Sequence, residues 1–221
     1  MIKIVCLSIF IILLSVTGCN REQEQRQDTG EQSEVTGTIV AVGDSLTAGY
    51  GLDESDAYPA LLENKLHAAG YKYRVINGGV SGETSSGTLS RLEWILTMEP
   101  DIVLLETGAN DGLRGINPLL VEQNIGNILK ILNDNDIVVL LAGMKMAWNL
   151  GPLYVSKFNG IYPKLAREFN VEYMPFFLEG VAMKSELNQT DGLHPNGRGY
   201  EKIAENIFPY VLDVIKKREE K

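Results

Sequence analysis

Ser45, Asp191 and His194 are residues whose types could perform nucleophilic catalysis, and they lie in two turns far apart in the chain. Ser45 sits in Val42-Gly43-Asp44-Ser45-Leu46-Thr47, just past an apolar run. A serine on a tight turn after a strand can present its hydroxyl freely, but it needs a base within hydrogen-bond reach and donors for a developing oxyanion. Imidazole, with an unperturbed pKa near neutrality, is the usual base for such a serine. The chain has two histidines, His67 and His194. His194 closes the fragment Asp191-Gly192-Leu193-His194. An aspartate three residues upstream can hold one ring nitrogen while the other faces the serine. His67 follows Leu66 in a helical stretch and reads as a helix residue rather than a second base.

Two more turns offer donors. Asn110, in Gly108-Ala109-Asn110-Asp111, carries a side-chain amide that can point N–H groups at an oxyanion, and Gly82, in Ser81-Gly82-Glu83, can offer a backbone N–H. Each fragment alone also has a plainer meaning. Asp44 and Ser45 both suit a helix N-cap, and the other fragments suit turns. The Ser45 segment is not the G-x-S-x-G elbow, because Thr47 replaces its last glycine. It is not a P-loop either, because Gly49 precedes Tyr50 rather than a lysine.

The elements that must position these turns are legible from residue 38 onward. Thr38–Val42, Tyr73–Ile76, Asp101–Glu106, Asp136–Leu141 and Val171–Met174 read as strands. The first, third and fourth are near-continuous apolar runs, as parallel strands covered on both faces should be. Helical stripes separate them: Tyr58, Leu61, Leu62 and Leu66; Val121, Ile125, Ile128 and Leu132; Ile161, Leu165 and Phe169; Ile203, Ile207, Val211 and Val214. Leu89, Leu92 and Leu96 mark one further helix before Pro100. Alternating β and α elements imply an α/β domain, a five-stranded parallel sheet with helices on both faces. Ligands of such sheets bind beyond the carboxyl ends of the strands. The polar, Gly-rich segments carrying Ser45, Gly82, Asn110 and Asp191–His194 all fall there.

Gly43-Asp44-Ser45-Leu46, Gly82, Gly108-x-Asn110-Asp111 and Asp191-x-x-His194 resemble, in order, the four sequence blocks of the GDSL or SGNH hydrolase family. The resemblance covers the domain from about Thr38 to the last helix. Ala109-Asn110-Asp111-Gly112-Leu113-Arg114-Gly115, Ile161-Tyr162-Pro163-Lys164-Leu165-Ala166 and Asp191-Gly192-Leu193-His194-Pro195-Asn196 are similar to its bacterial thioesterase I, lysophospholipase and arylesterase subgroup. The resemblance implies Ser45 as nucleophile, His194 as base and Asp191 as its partner. It implies an oxyanion hole from the Ser45 and Gly82 backbone N–H groups and the Asn110 side chain. It implies a three-layer α/β/α sandwich with a flavodoxin-like sheet, and structural roles for Asp44 and Asp111. It also places the Gly112–Pro118 loop, with Leu113 and Ile116, beside the acyl chain. Met144, Met146, Trp148, Leu150 and Leu153 crowd the loop after the fourth strand. Methionines and aromatics suit an adaptable apolar pocket, and they equally suit core packing. From this loop Met144, Met146 and Trp148 are taken as candidate substrate contacts.

The expected function is hydrolysis of short- to medium-chain acyl or aryl esters, with thioesters and lysophospholipids as related substrates. A carbohydrate O-deacetylase would use the same residues, and a non-catalytic lipoprotein module would use the same fold. No metal constellation stands out, and the chemistry needs no cofactor.

The first 18 residues resemble a bacterial lipoprotein signal: Lys3, an apolar run from Ile4 to Leu14, then Val16-Thr17-Gly18 before Cys19. The run is short for a full span, which needs about 20 residues. The expectation is cleavage before Cys19, lipidation of Cys19, and export to the periplasmic side of a bacterial membrane or the cell surface. Asn20 after the cysteine favours the outer membrane in a host that has two. Cys6 and Cys19 are the only cysteines, so the mature domain would hold no thiol for catalysis or a disulfide. Residues 19–36 are nearly free of apolar side chains and read as a disordered tether, with the hydrolase domain over residues 37–218. Cleavage would remove Lys3 as the only charge: Lys+Arg falls from 20 to 19 against 29 Asp+Glu, and the formal charge moves from -9 to -10. That balance argues against nucleic acid and against electrostatic adhesion to anionic lipid, so membrane association would come from the anchor.

Overall fold

The computed structural model describes residues 35–146 and 150–220. The expected signal segment 1–18, Cys19, the tether as far as residue 34, and Trp148 lie outside the described residues. Thr36, assigned to the tether, already donates its N–H to Lys72 O at 2.7 Å.

Five parallel strands form one sheet: β1 (Gly37–Gly43), β2 (Tyr73–Gly79), β3 (Ile102–Glu106), β4 (Val138–Ala142) and β5 (Glu172–Met174), in the order β2-β1-β3-β4-β5. The strands rich in Val, Ile and Leu occupy the middle, where β3 and β4 are buried at every position. The edge strands β2 and β5 are mostly partly exposed, with only Tyr73, Gly78 and Met174 buried. This is the arrangement expected when helices cover both faces of the sheet.

The helices are α1 (Ser45–Ala48), α2 (Tyr58–Ala68), α3 (Ser85–Ser90), α4 (Leu92–Leu96), α5 (Ala109–Leu113), α6 (Pro118–Asp134), α7 (Pro152–Phe169) and α8 (Gly197–Glu219). Helices α2 and α8 pack together on one face of the sheet, and α3, α6 and α7 on the other. The long helices carry their own start signals. Asn117 caps α6 by accepting the Leu119 N–H at 3.0 Å, and Asn196 caps α8 by accepting the Gly199 N–H at 3.1 Å. Lys216, Lys217 and Arg218 in the last turn of α8 complement the helix dipole. The expected stripes of α6 and α8 are fully buried, while in α2 Leu61 is only half-buried beside buried Tyr58, Leu62 and Leu66.

The single helix expected over Leu89, Leu92 and Leu96 is instead two short ones. The chain breaks at Arg91 (φ -106, ψ 12), where α3 ends and α4 begins. At the break the Arg91 guanidinium donates to the Glu83 carboxylate and to Gly78 O.

The connection after β1 leads to β2 on one side, while the later strands extend from β3 on the other. The carboxyl ends of β1 and β3 therefore flank the switch in strand order, where open α/β sheets form their ligand crevice. Ser45 follows β1 and Asn110 follows β3.

Candidate active site

Asp44, not Ser45, caps α1. Its Oδ1 accepts the Leu46 N–H at 2.9 Å. Capping by the neighbour leaves the Ser45 hydroxyl free, at the first position of the helix and half-buried. The turn is tight because Gly43 has no side chain: a Cβ there would overlap Thr47 Oγ1 and Glu106 Oε2.

His194 Nε2 lies 2.9 Å from Ser45 Oγ, across a separation of 149 residues, and His194 Nδ1 lies 2.7 Å from Asp191 Oδ2. An ionised carboxylate only accepts, so Nδ1 carries the hydrogen and bare Nε2 accepts from the Ser45 hydroxyl. Asp191 Oδ1 accepts the backbone N–H groups of Leu193 at 2.9 Å and His194 at 3.0 Å. The His194 N–H, its ring and the Leu193 N–H together draw the Asp191 carboxyl down to about 2. The carboxylate therefore stays charged at any pH at which a histidine can serve as base.

Several side chains that sequence reasoning left unassigned hold this pair in place. The Tyr50 ring lies against His194, with centroids 4.6 Å apart. Gln189 Nε2 donates to Tyr50 O at 2.7 Å and to Pro195 O at 3.0 Å, joining the loop after α1 to the loop that carries His194. The Gln189 backbone N–H also donates to His194 O at 2.8 Å. Nothing in the local sequence around Gln189 or Tyr50 marks these contacts, because each spans distant segments.

Asn110 lies in α5, after Gly108. One of its amide hydrogens goes to Asp44 Oδ2 at 2.9 Å, which leaves the second free. The Thr107–Gly108 turn behind it is fixed by Tyr162, whose hydroxyl donates to Thr107 O at 2.8 Å. Asp111 is buried and ties down α3: its oxygens accept the Ser85 N–H and the Ser85 hydroxyl, each at 2.7 Å. Asp44 and Asp111 thus do join turns, as the family resemblance implies, but Asp44 also holds Asn110 itself.

Gly82 adopts φ +80, a left-handed conformation that favours glycine. Its carbonyl accepts from Arg114 Nη2 at 2.8 Å. The next residue, Glu83, pairs with Arg91 through two N–H···O contacts of 2.7 and 2.8 Å, and both side chains are largely buried. A bidentate pair of this kind fixes geometry as well as charge. Among the described residues, neither the Ser45 N–H nor the Gly82 N–H donates to a protein acceptor. Ser45 thus carries a hydroxyl hydrogen-bonded to imidazole, and one N–H each on Ser45, Gly82 and Asn110 is left without a protein acceptor among the described residues.

The candidate substrate contacts separate on inspection. Leu113, at the end of α5, is exposed (59%), and Ile116 is half-buried against the core. Met146 is half-buried against Gly112. Met144 is a core residue, only 2% exposed. It is buried because the chain remains tied to β5 past the end of β4: Gly143 N–H donates to Met174 O at 2.8 Å, and Phe177 N–H donates to Gly143 O at 2.9 Å. His67 stands at the opposite edge of the sheet, 3.0 Å from Tyr73 O at the start of β2.

The family model of GDSL-like lipases and acylhydrolases matches residues 41–202. The chain is 39% identical over 179 residues to Esterase TesA of Pseudomonas aeruginosa, covering 80% of this chain and 89% of the relative. It is 42% identical over 182 residues to Thioesterase 1/protease 1/lysophospholipase L1 of Escherichia coli, covering 82% of each. Among solved structures it is similar to the psychrotrophic esterase EstA from a Pseudoalteromonas species, inhibited by monoethylphosphonate. That likeness has a TM-score of 0.78 and 34% identity, covering 81% of this chain and 99% of that one. The order of motifs, the sheet topology and these relatives agree that the chain belongs to the GDSL-like lipase/acylhydrolase family of ester hydrolases.

Proposed function

We propose that the protein is a serine esterase in which Ser45, His194 and Asp191 form the catalytic triad and the Ser45 N–H, Gly82 N–H and Asn110 side chain form the oxyanion hole. The observation that carries this reading is the relay from Asp191 Oδ2 to His194 Nδ1 at 2.7 Å and from His194 Nε2 to Ser45 Oγ at 2.9 Å. Ser45 Oγ attacks the acyl carbonyl as His194 takes its proton, and the three donors meet the oxyanion. The imidazolium then protonates the leaving group, which departs and leaves an acyl-enzyme. Water, deprotonated by His194, attacks the acyl carbonyl and releases the acid.

The substrates are short- to medium-chain acyl or aryl esters, with thioesters and lysophospholipids undergoing the same acyl transfer. Exposed Leu113 and half-buried Ile116 and Met146, in segments following β3 and β4, support an apolar acyl group. The relatives named esterase and thioesterase/lysophospholipase support the same range. Trp148 belongs to this proposed surface on sequence grounds. The reading includes export and lipidation at Cys19 after cleavage of residues 1–18, which rests on Val16-Thr17-Gly18-Cys19. Among the described residues no helix is long and apolar enough to cross a membrane.

The test is a rate profile over p-nitrophenyl esters of graded length and an acetylated sugar, with Ser45→Ala as control and an organophosphonate as label. The expected result is labelling of wild type but not Ser45→Ala, activity on the shorter esters, and a His194→Ala loss close to that of Ser45→Ala. Activity confined to the acetylated sugar would make the protein an O-deacetylase. Absence of labelling in folded protein would make it a binding module.

A further inference from the structure

Glu106 ends β3 in Ile102-Val103-Leu104-Leu105-Glu106 and is 1% exposed, directly beneath the nucleophile turn. Its Oε2 accepts the Asp44 N–H at 3.2 Å and the Thr47 hydroxyl at 3.0 Å. Its Oε1 has no hydrogen-bond partner among the described residues. The Asp44 carboxyl, also 1% exposed, lies within hydrogen-bonding reach of the Glu106 carboxyl. His194, Tyr58, Tyr162 and Tyr200 act on the two carboxyls, and among the described residues no lysine or arginine forms an ion pair with either. Two buried carboxyls in contact without a compensating cation cannot both ionise without a large desolvation and repulsion cost.

We propose that Glu106 is a positioning residue that stays protonated and donates its hydroxyl hydrogen to the Asp44 carboxylate, so that the single charge on Asp44 holds Asn110 and the Ser45 turn. The assignment of charge follows from the partners. Asp44 already accepts the Leu46 N–H and the Asn110 amide at 2.9 Å each, contacts that favour its ionised form. Glu106 Oε2 is committed twice as an acceptor, which leaves Oε1 to carry the proton. Burial, then the charge of Asp44, pushes the Glu106 carboxyl well above the usual carboxylate range. Burial also raises Asp44, but the hydrogen bonds it accepts oppose that rise. The chain Glu106–Asp44–Asn110 spends one Asn110 N–H on alignment and aims the other at the oxyanion. A neutral acid is needed at Glu106 because a second charge would compete for the hydrogens that Asp44 accepts.

The inference rests on the oxyanion role proposed for Asn110, so its test includes a readout independent of activity. Infrared difference spectra between wild type and Glu106→Gln at neutral pH should show a protonated carboxylic acid present only in wild type. Glu106→Gln, neutral and still a donor, should keep kcat within roughly threefold of wild type. Glu106→Leu, without the donor, should lower kcat about ten- to a hundredfold, the value of a hydrogen bond to a charged group, with little change in KM. Absence of the protonated-acid band, or its persistence in Glu106→Gln, overturns the proposal. So does a Glu106→Gln variant as impaired as Glu106→Leu. If Glu106→Leu does not fold, the infrared band and the Gln variant decide the matter. A wild type lacking Ser45-dependent activity would overturn the esterase reading while leaving the infrared result intact.

Discussion

Replacing Asn110 by alanine separates an oxyanion donor from a structural hydrogen bond, because this side chain offers one N–H to each. The first N–H is spent on Asp44 Oδ2 at 2.9 Å. Its loss leaves a buried carboxylate oxygen short of a partner, a penalty of about 1–3 kcal/mol. For a domain of this size each kcal/mol lowers Tm by about 2–4 °C, so the melting temperature should fall by roughly 2–12 °C. In the proposed oxyanion hole the second N–H, which has no protein acceptor among the described residues, is the one that meets the oxyanion. Removing one such donor costs about 2.7–4 kcal/mol in the transition state, or roughly a hundred- to a thousandfold in kcat. The ground-state carbonyl gains much less from the donor, so KM should hardly move. Steady-state kinetics on a p-nitrophenyl ester well below Tm, paired with thermal melts, measures both effects. A lowered Tm with kcat within threefold of wild type would show that Asn110 only braces Asp44. A raised KM at constant kcat would show a substrate contact rather than an oxyanion donor.

Two further outcomes follow from the surrounding charges. Arg91→Ala should destabilise the fold by about 3–5 kcal/mol, because it strands the buried Glu83 carboxylate beside the Gly82 turn. Urea unfolding checks this, and a loss below about 1 kcal/mol would mean that the pair is dispensable. Asp191 sits at about 2 in the folded state, below the ordinary aspartate value of about 3.9. Its contribution to stability is therefore complete above about pH 4 and disappears as pH falls through about 2. The stability difference between wild type and Asp191→Asn should narrow as pH falls from about 4 through about 2. A difference that persists unchanged at the acid end would contradict the hydrogen bonds assigned to the carboxylate.

Most of the sheet was legible in the sequence, since buried parallel strands need unbroken apolar runs and Ile102–Leu105 and Val138–Leu141 supply them. Asp191 and His194 lie three residues apart, a spacing that suits an ordinary turn equally, so their pairing drew its weight from the other three turns and the family resemblance rather than from locality. The helix break at Arg91 was not, because it is stabilised by Glu83 eight residues away rather than by a Gly or Pro in the chain. Met144 suited a pocket or a core equally by its chemistry, and the continued pairing of Gly143 with the end of β5 put it in the core. Tyr50 and Gln189 gave no signal, as their contacts with the His194 loop exist only once that loop lies over α1.

The amino-acid sequence by itself determined the alternation of strands and helices and the four turns that carry reactive residue types, because each depends on residues close together in the chain. Tertiary structure alone decided that His194 meets Ser45 across 149 residues, that Asp44 rather than solvent receives one hydrogen of Asn110, and that Glu106 is enclosed beneath both. The physical reason is desolvation. A glutamate at the end of a strand is an ordinary surface carboxyl until the sheet, α1 and their neighbours remove its water, and only then does its proton become part of the site's geometry.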